Sequence, residues 1–383
     1  RTAPCFVMAL RMVSIAVLAL AVAVGVIGKF KPTLFLHLPM GFIPWAITGN
    51  PMPPFFTADP FAPAEFKTWV RDGDLIVSTG VKSGTHWMLY CTHQIRTKGK
   101  GGWYDPNVET PWPDMIHRPG QTWAEIKERM NTTVLSDGSN LKDHWDSPSY
   151  PFRIFKSHWF PLTEEGGILP VRENPHVKFL AMVRNGKDMV ASCFPHFNAH
   201  RTSWRNIWGG FPPPSSPEEV FSQFMPGGTL AHLYWEYVRQ WWKMRGAPNV
   251  LLLHYSDAAK DLSKTVSTLA DFLDVKLSAS EHKTVTDKCS IQHMKKKEIS
   301  SNMRILAWGN DQAKDLSFFC GDGDEHCDVP EQYRWSLIRK GRDGEGAQFF
   351  SEAMRAQWES VLASELPDLE MREWSQHGGT LPP

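Results

Sequence analysis

Four short apolar segments, each followed by a polar or glycine-containing turn, constrain the fold of this chain most strongly. They are rich in Val, Ile, Leu and Phe and occupy residues 74–79, 152–155, 177–183 and 250–254. Helical patterns follow over residues 85–95, 188–193 and 261–273, and Asp257 is a further candidate helix start. Alternating strands and helices are typical of a parallel sheet flanked by helices. The sequence therefore predicts one α/β domain over residues 65–375.

The composition excludes several classes of protein. Of the 383 residues, 42% are hydrophobic and 21% are charged, which excludes disorder or a fibre as a description of the whole chain. The 41 Lys and Arg residues are balanced by 41 Asp and Glu residues, so no global positive field favours nucleic-acid binding. Any anion site must be local, and we expect no nucleic-acid partner.

The N-terminal region predicts a membrane segment. Residues 12–28 carry no charge and are bracketed by Arg11 and by Lys29 and Lys31. Such a run is near the lower limit of about 17 residues for a helix that spans a bilayer. We expect residues 1–31 to be a signal-anchor or transmembrane segment, with a cleaved signal peptide or a core helix as alternatives. Residues 32–64, rich in Pro and aromatic side chains, are predicted to be a linker.

Two features depend on the cellular compartment. Asn131-Thr132-Thr133 is an N-glycosylation acceptor pattern, which matters only if the domain is lumenal. Cys320 and Cys327 are the only cysteines close together in sequence, and whether they are bonded depends on an oxidising environment. From the anchor, we expect a membrane-anchored protein of the Golgi or another endomembrane rather than a cytosolic one.

The turn after the first predicted strand has the features of an anion-binding loop. Residues 78–87 read STGVKSGTHW and lead directly into a predicted helix. Backbone N–H groups at a glycine turn and at a helix N-terminus bind anions, and Lys82 adds a positive charge. The spacing differs from that of the nucleoside-triphosphate P-loop, because Lys82 precedes Gly84 instead of following it. Taken alone, the segment is more simply interpreted as a glycine turn between a strand and a helix.

Together with three later segments, however, this loop resembles the PAPS-dependent sulfotransferases of the cytosolic type, which use 3'-phosphoadenosine 5'-phosphosulfate (PAPS) as donor. Residues 81–87 are similar to the family's Pro-Lys-Ser-Gly-Thr-Thr-Trp element, and residues 153–158 to the strand end that carries Lys-Thr-His. Residues 183–192 are similar to the Arg-Asn-Pro-Lys-Asp segment that ends in Ser, and residues 338–344 to the Arg-Lys-Gly-x-x-Gly element. The four elements follow the family's order, and the set implies the family's fold: a P-loop-like parallel sheet flanked by helices, here preceded by an apolar N-terminal helix.

The resemblance also implies a role for individual residues. Lys82 would neutralise charge on the departing phosphate, Lys156 would contact the sulfuryl oxygens, and His158 would be the general base. These roles suit sulfuryl transfer, which needs positioning, charge stabilisation and deprotonation of the acceptor. By the same resemblance, the residues that bind PAPS are Lys82, Ser83, Gly84, Thr85, His86, Trp87, Arg184, Ser192, Tyr255, Ser290, Arg339, Lys340 and Gly341.

Several positions depart from the family pattern. Val81 and Gly186 stand where the family has Pro, and His86 stands where it has a second Thr. Ile291 replaces an aromatic residue that contacts the adenine in the family, so one such contact is expected to be lost. The family's C-terminal dimerisation pattern, Lys-x-x-x-Thr-Val, is not found, so the oligomeric state stays open.

We therefore predict that the chain transfers a sulfuryl group from PAPS to a hydroxyl, or an amine, of a small or lipid-like acceptor. No metal is expected, because no carboxylate cluster adjoins the phosphate loop. A Golgi-type glycan sulfotransferase is an alternative favoured by the anchor, the Asn131 triplet and the cysteine pair. A P-loop nucleoside kinase would explain the first loop but not His158 or Arg339. An inactive membrane-tethered nucleotide-binding protein would tolerate the altered residues, but it would not need both Lys82 and His158.

Overall fold

The computed structural model describes residues 56–103, 105–116, 121–135, 137–202, 213–296, 318–320, 325, 327–334 and 341–382. The predicted membrane segment and most of the predicted linker lie outside these residues, as do Arg339 and Lys340. Within the described part of the chain, no helix is long and apolar enough to cross a membrane.

A parallel sheet of four strands organises the described residues. The strands are β1 (Leu75–Thr79), β2 (Ile154–Ser157), β3 (Lys178–Val183) and β4 (Val250–His254), arranged in the order β2-β1-β3-β4. Every neighbouring pair is parallel, and Ile76 on β1 pairs with Phe155 on β2 and with Phe179 on β3. The predicted parallel sheet and all four predicted strands are confirmed.

Helices connect these strands and pack on the sheet. Their bounds are α1 (Pro63–Trp69), α2 (Thr85–Arg96), α3 (Pro106–Glu109), α4 (Trp123–Thr132), α5 (Leu141–Trp145), α6 (Gly186–Asn198), α7 (Pro217–Phe224), α8 (Trp235–Lys243), α9 (Tyr255–Lys260), α10 (Leu262–Phe272), α11 (Ala279–Cys289), α12 (Ile291–Lys296), α13 (Gly346–Phe349), α14 (Glu352–Glu365) and α15 (Leu369–His377). Single 3-10 turns occupy Asp59–Phe61, Ala231–Leu233 and Glu331–Tyr333.

The predicted helix over residues 188–193 is longer in the structure. Helix α6 begins at Gly186, because the side chain of Asn185 accepts a hydrogen bond from the Lys187 N–H and so caps the first turn. It continues through Pro195 to Asn198, one turn beyond the predicted end. That extra turn carries His196 to the edge of the sheet.

The candidate helix start at Asp257 is wrong by two residues, whereas the predicted helix over residues 261–273 is present as α10, which begins at Leu262. Helix α9 already begins at Tyr255, because the His254 side chain accepts a hydrogen bond from the Ser256 N–H. Asp261 accepts a hydrogen bond from the Lys264 N–H at 2.9 Å and caps α10.

The core lies on both faces of the sheet. Successive strand residues point to opposite faces, so Ile76 packs into one cluster with Phe155 and Phe179, whereas Leu75 and Val77 pack into the other. All three β1 side chains are fully buried. A parallel sheet covered on both faces leaves the strand ends as the accessible edge.

Candidate active site

The carboxyl ends of all four strands meet at one edge of the sheet, and a cavity of about 500 Å³ opens there. Most of the predicted site residues line this cavity: Lys82, Gly84, Thr85, His86, Trp87, Lys156, His158, Arg184, Ser192, Tyr255, Ser290 and Gly341. Ser83 is the exception among the described residues, because its buried hydroxyl donates a hydrogen bond to the Val81 carbonyl at 3.3 Å.

The loop between β1 and α2 is shaped as an anion cradle. Lys82 and Gly84 both have positive φ values, 53° and 97°, which turn the chain sharply before α2 begins at Thr85. A side chain at Gly84 would also approach the Tyr255 ring to 3.1 Å, so both conformation and space favour glycine. The backbone N–H groups of the first turn of α2 have no partners within the helix and can bind an anion.

Arg184 lies beside this cradle at the end of β3 and is tied to two other loops. Its guanidinium donates hydrogen bonds to the Lys82 carbonyl at 3.3 Å and to the Arg342 carbonyl at 2.8 Å. The guanidinium carbon also lies 4.5 Å from the centre of the Tyr255 ring. Although Arg184 is 6% exposed, it lines the cavity and can pair with a bound anion.

Asp188 fixes the C-terminal loop against this region. Its two carboxylate oxygens accept hydrogen bonds from the Gly344 N–H at 2.8 Å and the Gly346 N–H at 2.7 Å. The loop containing Gly341 is thereby held over the end of β3. The loop packs closely against α12 at Gly341, because a Cβ atom at this position would lie 2.5 Å from the Ile291 side chain.

His158 follows β2 and is held in one tautomer. Its Nδ1 lies 2.8 Å from the Thr79 carbonyl oxygen, an atom that can only accept a hydrogen bond. Nδ1 therefore carries the proton, and the lone pair of a neutral His158 is on Nε2. Burial, with smaller effects from the charges of Lys156 and Lys82, lowers the pKa of His158 to about 3, so the ring is unprotonated at neutral pH.

Lys156 is almost fully buried at the end of β2. Lys156 is 2% exposed. Its ammonium nitrogen lies 3.4 Å from the centre of the Trp112 ring and makes a cation–π contact with it. Burial lowers the pKa of Lys156 well below its usual value. An anion in the cavity would favour the charged form of this amine.

Trp87 and Tyr255 form an aromatic corner beside the cradle. Their ring centres are 5.5 Å apart in an edge-to-face arrangement. The Trp87 indole N–H donates a hydrogen bond to the Cys289 carbonyl at 2.9 Å, and this contact holds the turn with Ser290 next to α2. The corner has the flat, apolar surface that suits a purine base.

Comparison with known proteins identifies the family. A model of the sulfotransferase domain matches residues 72–369. The chain belongs to the sulfotransferase family. Among curated proteins, mouse sulfotransferase 2A6 is 27% identical over 61% of this chain and 70% of its own length. Human sulfotransferase 2A1 is 24% identical over 80% of this chain and 89% of its own length.

Solved structures show the same fold. The mouse sulfotransferase SULT7A1 was solved in complex with PAP, the desulfated form of PAPS. It matches with a TM-score of 0.56 and 19% identity, over 84% of this chain and 92% of that one. Retinol dehydratase in complex with androsterone and PAP matches with a TM-score of 0.53 and 20% identity, over 79% and 83% of the two chains. The predicted sulfotransferase fold and the predicted enzyme class, a PAPS-dependent sulfotransferase, are confirmed.

Sequence reasoning missed several residues of this sulfotransferase that line the cavity. His196 on α6 lies with its Nδ1 3.1 Å from the Lys82 ammonium. It follows Ser192 by four residues, so the helical repeat could have placed both side chains on one face of α6. Trp112 and Asp114 also line the cavity, but they lie on a loop where no periodicity predicts their direction.

A segment next to a disulfide also lines the cavity. The structure joins Cys320 to Cys327, which resolves the pairing left open by the sequence. Phe318 and Phe319, beside this bond, line the cavity, and the Phe319 ring packs 5.0 Å from His200. Among the described residues, no group of three or more His, Cys, Asp or Glu is arranged to hold a metal ion.

Proposed function

We propose that this sulfotransferase transfers the sulfuryl group of PAPS to a hydroxyl, or an amine, of a small and largely apolar acceptor, with His158 as the general base. The observation that carries the proposal is the hydrogen bond from His158 Nδ1 to the Thr79 carbonyl. It leaves the Nε2 lone pair of a cavity-lining histidine to take the proton of the acceptor as its oxygen bonds to sulfur.

The residues of the cavity fit a polyanionic nucleotide. When bound, PAPS supplies the sulfuryl group and leaves as PAP. The cradle formed by Lys82, Gly84 and Thr85 would hold the 5'-phosphosulfate, and Arg184 with Ser192 would hold the 3'-phosphate. Lys156 would contact the sulfuryl oxygens, and the corner of Trp87 and Tyr255 would pack on the adenine. The side chains of Lys82, Lys156 and Arg184 line the cavity and would supply the positive charge that such a ligand requires.

An apolar acceptor is supported by the remaining lining. Many of the other residues that line the cavity are hydrophobic: Phe56, Trp112, Met115, Phe197, Phe224, Leu230, Leu233, Met294, Phe318 and Phe319. Burying apolar surface is the main source of affinity in such a pocket. A guinea-pig relative named 3-alpha-hydroxysteroid sulfotransferase, and a structural neighbour solved with androsterone, are consistent with this class of acceptor.

Incubation with radiolabelled PAPS and a panel of acceptors tests the proposal. We expect label to be transferred to apolar alcohols such as androsterone and retinol and to phenols, with much slower transfer to free sugars. The matched control is the His158→Asn variant, which keeps a polar group of similar position but has no ring base. Preference for sugars would support the glycan-directed alternative, and phosphoryl transfer from ATP that requires Mg²⁺ would support the kinase.

The location of the enzyme is a separate proposal. We infer that residues 12–28 anchor it in an endomembrane, because the segment is apolar and uncharged, and that the domain lies in the lumen. The disulfide between Cys320 and Cys327 supports an oxidising compartment, and Asn131 is exposed near the end of α4.

Alkaline carbonate extraction of cell membranes tests this location. We expect the full-length protein to stay in the membrane pellet and a variant without residues 1–31 to move to the supernatant. Release of the full-length protein would contradict the anchor. Recovery of a product that begins after about residue 30 would instead identify a cleaved signal peptide.

A further inference from the structure

Trp112 contacts two of the residues to which the proposed mechanism gives a role in catalysis, Lys156 and His158. One face of its indole lies 3.4 Å from the Lys156 ammonium nitrogen, measured to the ring centre. The same ring packs edge-to-face against His158, with 5.1 Å between ring centres. Trp112 is 7% exposed and lines the cavity. A single tryptophan therefore connects the amine and the base.

The backbone fixes Trp112 in this place. The Lys156 N–H donates a hydrogen bond to the Pro111 carbonyl at 2.8 Å, which holds the loop with Trp112 alongside β2. Behind the indole, the Phe56 ring packs 5.3 Å away, between ring centres, and the adjacent Met115 pairs with Phe56. The indole is packed between Phe56 on one side and Lys156 and His158 on the other. Because the Trp112 side chain is buried, this packing holds the indole against Lys156.

The Trp112 contact helps Lys156 to stay charged. Burial favours its neutral form, and Lys82 and the histidines His86, His158 and His196 would each repel it when charged. Two carboxyl groups, Asp114 and Asp105, act in the opposite direction. Asp114 is itself fully buried, and its pKa is raised to about 8, so it is mostly protonated at neutral pH. The aromatic face of Trp112 also favours a protonated Lys156, and it does so at every pH because the indole does not titrate. Such a contact is strong when desolvated.

We propose that Trp112 is a positioning residue that holds the Lys156 ammonium in place and keeps it protonated for sulfuryl transfer. The proposal rests on the role proposed for Lys156 at the sulfuryl oxygens. Trp112 would act through that amine rather than through the acceptor. Its loss should therefore change the pH dependence of turnover as well as the rate.

The experiment compares Trp112→Phe and Trp112→Leu with the original enzyme, using PAPS and androsterone as probes. We expect kcat to fall in the order Trp, Phe, Leu, by about tenfold or more for Leu. The alkaline limb of kcat against pH should move to lower pH by about one unit in Trp112→Leu, because Lys156 then loses its proton earlier. The affinity for PAP at neutral pH and the melting temperature serve as measures of folding.

Two further variants separate this role from packing. Trp159→Leu is the matched control, because Trp159 lines the same cavity but its ring packs against Phe56 and Phe160; its alkaline limb should stay in place. In a Lys156→Arg background, Trp112→Leu should no longer move the limb, because arginine stays charged throughout this range.

The outcomes distinguish the proposal from the function on which it rests. An alkaline limb that stays in place in Trp112→Leu, or one that still moves in the Lys156→Arg background, would overturn the role of Trp112. If Lys156→Met retains full kcat, the role of Lys156 in the proposed function fails instead. If Lys156→Met is inactive while Trp112→Leu has an unchanged profile, only the further inference is wrong.

Discussion

The His158→Ala variant is expected to lower kcat by about 10² to 10⁴, the usual range for loss of a general base. The affinity for PAP should stay nearly unchanged, because the His158 ring is held by Thr79 and Trp112 rather than by the loops that would bind phosphate. Steady-state kinetics with PAPS and an apolar alcohol measure the first quantity, and calorimetry with PAP measures the second.

The pH dependence of kcat/KM for the same reaction gives a second readout, in its acid limb. Because burial lowers the pKa of His158 to about 3, the base form is already present throughout the neutral range. Bound PAPS is negatively charged and raises this pKa. We expect the acid limb of kcat/KM, which reports the free enzyme, to lie below pH 6.5, and an acid limb above that value would contradict the burial of the ring.

Arg184→Ala is the contrasting control for His158→Ala. Arg184 would bind the 3'-phosphate in the ground state, so its loss should weaken PAP binding by roughly 10- to 100-fold, from about 1.5 to 3 kcal/mol for a charge-assisted hydrogen bond. Lys82→Ala should impair both binding and kcat, because Lys82 would contact the donor before and during transfer. Equal, mild effects of all three variants on binding and turnover would contradict these assignments.

Most of the motif residues that the sequence singled out line one cavity, for a reason in the topology. Lys82 and Arg184 follow strands, Lys156 lies near the end of β2, and the carboxyl ends of parallel strands meet at one edge. Once the strands are predicted, residues that are far apart in the chain are expected to lie close together at this edge. Lys82 and Arg184 are separated by 102 positions, yet the Arg184 guanidinium donates to the Lys82 carbonyl at 3.3 Å.

Other contacts of the site could not be predicted in this way. Trp112 and Asp114 lie on a loop, where neither the helical nor the strand repeat gives the direction of a side chain. His196 was missed because the predicted helix ended before it, whereas α6 continues through Pro195. The Asp188 contacts with Gly344 and Gly346 join segments that no local pattern relates.

Acidification is expected to destabilise the empty enzyme strongly, because several buried histidines are held neutral. Burial lowers the pKa of His86, His93 and His196 well below 6.5, and that of His158 to about 3. In the unfolded chain each of these rings takes up a proton near pH 6.5. Below that pH the unfolded state binds more protons than the folded state, so the free energy of unfolding falls as the pH falls.

The size of the effect follows from counting protons. Each such histidine contributes about 1.4 kcal/mol per pH unit between its unfolded and folded pKa values. Asp114 acts in the opposite direction, because its pKa is raised to about 8 in the folded protein, where it binds a proton that the unfolded chain releases above about pH 4. With four histidines against this carboxyl group, we expect a loss on the order of 5 kcal/mol between pH 6.5 and pH 5, comparable to the whole stability of many domains.

Urea denaturation of the domain across this pH range measures the effect, and His93→Gln provides the control. His93 is fully buried and lies outside the cavity, with its Nδ1 2.8 Å from an Arg96 nitrogen, so the variant removes one titrating ring without touching the proposed catalytic residues. Its stability should depend less steeply on pH than that of the original enzyme, by up to one proton. Saturating PAP should also protect against acid, because a bound anion favours the protonated forms of His86, His158 and His196. A free energy of unfolding that stays constant from pH 7 to pH 5 would show that these rings are charged in the folded protein, and the neutral His158 on which the general-base proposal depends would then be wrong.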